Sequence, residues 1–215
     1  MAKRFKRRRD GLVVAHLDEH EIALLARLFA DVGLLLEPED DASSTPEWAA
    51  GLGLQGLGDD RAVEAPDDTA LARLLPDAHR DDPAASAEFR RLTERSLRER
   101  KRAALQESVS LLVGWVEDDG RPQTMDDGQA RALVTSLTDV RLVLADRLGV
   151  RTEADAEALH ERDPDDDDPD DPSAWLAMVY EFTTWVQESL SGVLLDALPR
   201  EGDGRRAAPD ADGPV

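Results

Sequence analysis

The sequence predicts a mainly α protein: a helical bundle with a short N-terminal β-hairpin. Three observations carry that expectation. Four long stretches space their apolar residues by three and four, the mark of a helix with one buried face. Strand-like pairing around an Asp-Gly turn occurs only at the N-terminus. Capping residues, prolines and glycines punctuate the helical stretches at their expected ends.

Residues 3–17 read as the hairpin. Arg4-Phe5-Lys6 and Leu12-Val13-Val14 flank a basic turn at Asp10-Gly11. Asp18 then caps a helix, with Glu21 completing a capping-box pattern. Its stripe is Ile22, Leu25, Phe29, Val32 and Leu36, and Pro38 ends it. Residues 37–67 hold Pro38, Pro46, Pro66, many acids and Gly51, Gly53, Gly56 and Gly58, and read as a mobile loop touching the core through Trp48 and Leu52 or Leu54. A short helix near Asp68–Leu75 stops at Pro76. The next helix starts at Pro83 and runs to about Val116, with a break near Ser96–Arg98. Phe89 and Leu92 form one apolar pair on it; Leu105, Val109, Leu112 and Val116 form a second stripe. Another helix, about Asp126–Leu148, aligns Leu133, Leu137, Val140, Leu144 and Leu148, with Gly149 as its C-terminal glycine. A short helix, Thr152–Leu159, precedes a second mobile loop at 160–172. Ser173 caps the last helix, striped at Trp175, Val179, Phe182, Val186, Leu190 and Val193. Residues 1–198 therefore form a single mostly helical domain, because four amphipathic helices cannot each bury a face alone. Residues 199–215, rich in Gly, Pro and charge, read as a disordered tail.

Composition narrows the chemistry. The 215 residues carry a net charge of −21 and no cysteine. That excludes disulfides, thiolate nucleophiles, Cys-ligated zinc and Fe–S clusters. An acidic surface repels phosphate backbones, so the whole protein is not a generic nucleic-acid coat. No run of about 20 apolar residues spans a bilayer, and the basic N-terminus lacks a signal-peptide core. A cytoplasmic protein is expected.

No motif assembles a catalytic, metal or cofactor site. Gly51-Leu52-Gly53-Leu54-Gln55-Gly56 is a literal GxGxxG, but no strand precedes it and no helix opens at it; a flexible glycine loop is the better reading. His16 and His20 are four apart, yet the cap at Asp18 separates them. Asp163 to Pro172 holds seven Asp and three Pro, a solvated acidic loop without the ordered spacing of a calcium site. No nucleophile elbow or P-loop is present.

Two basic islands stand out on the acidic background. One is Lys3, Arg4, Lys6, Arg7, Arg8 and Arg9. The other is a helical stripe at Arg91, Arg95, Arg98 and Arg102. Three readings are open for them: neutralisation within the chain, docking of an acidic partner surface, or contact with DNA phosphates.

Several segments are distinctive in combination: Leu71-Ala72-Arg73-Leu74-Leu75-Pro76-Asp77-Ala78-His79-Arg80-Asp81-Asp82, Ala87-Glu88-Phe89-Arg90-Arg91-Leu92-Thr93-Glu94, Leu97–Lys101, Asp139–Val150, Tyr180–Leu190 and the opening Arg4–Leu17. Together they resemble an actinobacterial family formerly of unknown function, identified with AosR-type oxidative-stress transcriptional regulators. The resemblance covers most of residues 3–198. It implies a small cytoplasmic regulator that acts through RNA polymerase or a sigma factor. That family role is linked to a thiol–disulfide switch, which a chain without cysteine cannot operate.

The expectation is thus a non-enzymatic interaction protein without cofactor, monomeric or homodimeric. Its candidate partner surfaces are the two basic islands. The alternatives are a direct DNA-binding protein using the N-terminal arm, and a ligand-binding or enzymatic helical protein with a pocket between helices.

Overall fold

The computed structural model describes residues 3–38, 65–79, 81–118, 121–161 and 172–197. Among them the elements run β1 (Lys3–Arg7), β2 (Val13–His16), α1 (Glu19–Leu35), α2 (Thr69–Leu74), α3 (Pro83–Glu117), β3 (Thr124–Met125), α4 (Asp127–Arg147), α5 (Glu153–His160) and α6 (Pro172–Asp196). The fold is mainly helical with a small antiparallel sheet, as the patterning predicts. Loop 37–67, loop 160–172 and the tail fall largely outside the described residues, as do Trp48, the glycine-rich motif and the Asp163–Asp171 block.

The hairpin gains a third strand. β1 pairs with β2 in the register Lys6↔Val14 and Arg7↔Val13, with an irregularity between Lys3 and Lys6. The turn places Gly11 at φ 89, a left-handed conformation that glycine adopts without strain. β2 also pairs with β3, Val13 opposite Met125, so the sheet order is β1-β2-β3. A two-residue strand after a proline has no alternation to detect, and only its neighbour defines it. Both sheet edges meet a helix. The Phe5 amide donates to Ser189 Oγ of α6 at 2.9 Å. Trp115 of α3 donates from Nε1 to the Thr124 carbonyl at 3.1 Å. These bonds occupy outward-facing groups that a bare edge would offer to other chains.

α1 forms where Asp18 and Glu21 build the predicted capping box. The whole Ile22, Leu25, Phe29, Val32, Leu36 stripe is buried. α1 packs along α3 and touches α4. Asp68 accepts from the amides of Ala70 and Leu71 to start α2, which lies on α4. A second capping box, Asp126 with Gln129, starts α4. On α4, Leu133, Leu137, Val140 and Leu144 face the core, where Val179, Val186 and Leu190 of α6 join them.

Three expectations need correction. α3 is continuous from Pro83 to Glu117, with no break at Ser96–Arg98, because polar residues without Gly or Pro do not interrupt a helix. Its N-terminal half packs through the face that carries Ser86, Arg90 and Leu97, so the apolar pair Phe89 and Leu92 falls on the outer side and is exposed. α6 opens at Pro172, so Ser173 lies inside it, and Trp175 is half-exposed.

Gly149 follows α4 with φ 74. Its amide donates to the Asp146 carbonyl and the Val150 amide to the Ala145 carbonyl, closing the helix end. Gly149→Ala would force a Cβ into this left-handed conformation. A loss of about 1–2 kcal/mol is expected by urea denaturation.

Candidate interaction surface

The arginine stripe forms on α3, but each member meets a carboxylate. Arg91 donates to both oxygens of Glu88, at 2.9 and 2.8 Å. This bond holds the Glu88 carboxyl below its ordinary pKa. Arg95 pairs with Glu99 at 3.0 Å. Arg98 pairs with Glu94 at 2.8 Å and also reaches the Leu36 and Glu37 carbonyls at 3.5 Å. Arg102 pairs with Glu37 at 3.2 Å. Arg98 and Arg102 therefore place positive charge on the C-terminal end of α1, where unpaired carbonyls and the helix dipole favour it. An island that is positive along the sequence is a ladder of ion pairs in space. Periodicity could show which arginines share a face, but not that Glu37 comes back to meet them.

Arg90, one position before the stripe, is buried. It bonds to Asp77 and Glu94 and reaches the Leu75 carbonyl at 3.4 Å. It fixes the loop after α2 onto α3. Nothing in the sequence distinguishes it from its exposed neighbours.

Four of the N-terminal bases, Lys3, Arg4, Lys6 and Arg7, sit on a strand rather than a free arm, and Arg8 and Arg9 lie in the turn that follows. Phe5 is buried, so Arg4 and Lys6 on either side of it point to solvent. Arg7 donates to Asp127 and to the Gly11 carbonyl, each at 2.7 Å. Arg8 pairs with Asp10 at 2.9 Å. Lys3, Arg4, Lys6 and Arg9 are exposed and have no ion pair among the described residues. The sheet thus holds unpaired cations on a fixed backbone.

The histidines remain apart. His16 ends β2 and His20 lies in the first turn of α1, both exposed. His79 follows α2, and His160 ends α5. His160 Nδ1 lies 2.9 Å from Glu181, whose hydrogen bond and charge raise the imidazole pKa. Among the described residues, no group of three or more His, Asp or Glu is placed to hold a metal ion.

A polar contact in the helix interface escapes sequence reading. Lys101 Nζ lies 2.5 Å from Asp139 Oδ1, joining α3 to α4. Asp139 is 1 % exposed, and its Oδ2 has no partner. Burial raises its pKa, and the bond and charge of Lys101 offset this only in part. Nearby along the same helices, Ser108 and Ser136 share a hydrogen bond at 2.9 Å. Lys101 reads in sequence as one more base of an island, because nothing local shows that it turns inward.

Two of the concavities among the described residues lie against α6. A mainly apolar groove of about 790 Å³ runs between α1, α4 and the start of α6. A polar hollow of about 530 Å³ lies between α5 and α6, floored by Tyr180 and Trp185 and rimmed by Glu157, Glu181 and Glu188. Arg141 stacks 5.3 Å from the Tyr180 ring centroid and bonds to Gln187 at 2.6 Å at its edge. Among the described residues, no helix is long and apolar enough to cross a membrane.

No curated protein and no solved structure matches the chain. A family model described as a domain of unknown function, DUF2017, matches residues 2–194, from the first strand through nearly all of α6. The chain belongs to the DUF2017 family.

Proposed function

We propose that this is a non-enzymatic, cytoplasmic interaction protein that docks an acidic partner surface on the solvent side of β1. One observation carries the reading: Lys3, Arg4 and Lys6 of β1, and Arg9 in the turn after it, stand exposed and without an ion pair among the described residues, on a molecule of net charge −21. Among the described residues, the neighbouring Arg7 and Arg8 each have a carboxylate in reach, whereas these four bases do not. Such a patch orients an acidic partner and speeds its capture. The α3 stripe is the weaker candidate, since an incoming acid would have to displace Glu88, Glu94, Glu99 or Glu37.

At the finer level, the resemblance of the segments around Leu71–Asp82 and Tyr180–Leu190 to AosR-type regulators supports a role in stress-related transcription. The partner would be RNA polymerase or a sigma factor. Any signal it responds to reaches it without thiol chemistry.

Affinity capture from native cytoplasm, followed by mass spectrometry, tests the reading. Wild type is expected to recover polymerase or a sigma factor. A Lys3→Glu, Arg4→Glu, Lys6→Glu variant is expected to weaken capture by roughly tenfold or more. An Arg91→Glu, Arg95→Glu variant retains it. Loss of capture only in the α3 variant would move the surface, and recovery of metabolic enzymes alone would overturn the regulatory reading.

Direct DNA binding draws on the same unpaired bases, because phosphates attract them equally. It predicts retardation of duplex DNA that fades steeply with salt and vanishes in the β1 variant. No retardation at low salt removes it.

A further inference from the structure

Helix α1 buries one apolar face in the core and leaves apolar side chains beside it only part-covered. Ile22, Leu25, Leu28, Phe29 and Val32 are buried. Leu24 and Leu35 are partly buried against that core and, with exposed Arg27 and Asp31, line the open groove that α4 and Trp175 complete. Leu34 lies seven residues after Arg27 and three after Asp31, hence on that same side, and is 62 % exposed. Trp175 at the rim is 50 % exposed. A helix with apolar side chains around most of its circumference is normally covered around most of it.

We propose that this second face of α1 packs antiparallel against its own copy, across a twofold axis, in a homodimer. The charges on the face select the occupant. Arg27 and Asp31 stand one turn apart in its middle, 3.7 Å from each other, and both are exposed. An antiparallel copy centred between them sets Arg27 against the partner's Asp31, and Asp31 against the partner's Arg27. The same register sets Leu24 against the partner's Leu34 and Ala23 against the partner's Leu35. One alignment thus pairs the charges and covers the exposed Leu34 together with the partly buried Leu24 and Leu35, as an isologous interface must. A foreign helix of uniform sign would leave either Arg27 or Asp31 facing a like charge. The −21 charge of each chain opposes approach at long range.

Sedimentation velocity on the full chain over a concentration series tests this. Wild type is expected to shift from monomer to dimer with concentration. Arg27→Asp alone or Asp31→Arg alone turns both contacts into like-charge pairs, and each should raise the dissociation constant by at least about a hundredfold. The double variant Arg27→Asp, Asp31→Arg restores the pairing in reverse and returns the dimer. That rescue separates interface loss from misfolding. A wild type that stays monomeric, single variants that dimerise normally, or a double variant that fails to recover would each overturn the proposal. The result is independent of partner capture at β1.

Discussion

Lys101→Met lowers the unfolding free energy by about 3–5 kcal/mol. Its partner Asp139 is 1 % exposed, and Lys101 supplies the one cation beside it. Removing the ammonium leaves a buried carboxylate with no compensating charge. The measurement is a urea titration, in which the midpoint should fall while the slope stays constant. The double variant Lys101→Met, Asp139→Leu removes both charges and should recover most of the loss, because an apolar pair of similar volume carries no desolvation cost. Similar stability for the single and double variants would show that the pair contributes nothing specific.

The pH dependence has a definite sign. Burial raises the folded pKa of Asp139 above its ordinary 3.8. Below 3.8 the carboxyl is neutral in both states and costs nothing. As pH rises from there toward the raised folded value, the unfolded chain ionises first, and stability falls. Above the folded value the cost is constant. The Lys101→Met variant, having lost the group that lowers this pKa, should show the fall over a wider window. Asp139→Asn in that background should abolish it.

Phe29→Ala is expected to cost a further class of energy, about 3–5 kcal/mol, through a cavity rather than a charge. Phe29 is completely buried, in the helix that packs on both α3 and α4. Deleting its ring removes contacts with elements from both halves of the chain, and the rigid helices cannot collapse to fill the space. Phe29→Leu should recover much of the loss, since it restores most of the apolar volume. A loss below about 1 kcal/mol for the alanine variant would mean that the bundle relaxes around this site.

The helices were legible because their information is local. The stripe from Ile22 to Leu36, the capping box at Asp18 and the glycine at position 149 each act within a few residues, and each appears in the structure. Periodicity also placed Arg91, Arg95, Arg98 and Arg102 on one helix. It could not reveal what they meet: Glu88, Glu94 and Glu99 lie nearby on α3, but Glu37 arrives from α1. Lys101 and Asp139 were invisible as a pair for the same reason, being 38 residues apart. Strand β3 has too few residues to carry a pattern. Conversely, Phe89 and Leu92 carry helical spacing but lie on the side of α3 turned away from the face that buries Ser86 and Arg90. Spacing identifies a face; only the fold decides whether anything covers it.

The closure of the small sheet has a consequence for how the chain is made. Phe5 bonds to Ser189 across 184 residues, and β2 finds β3 more than 100 residues later. On the ribosome β1 can pair with β2 as soon as both have emerged, but β3 and α6 follow much later. The anchorage of the sheet on α6 is therefore among the last contacts to form. The basic side chains of β1 are held in fixed positions only after α6 has left the exit tunnel and docked. A nascent or truncated chain would carry the same cations without that geometry, so their ordered display marks a completed molecule.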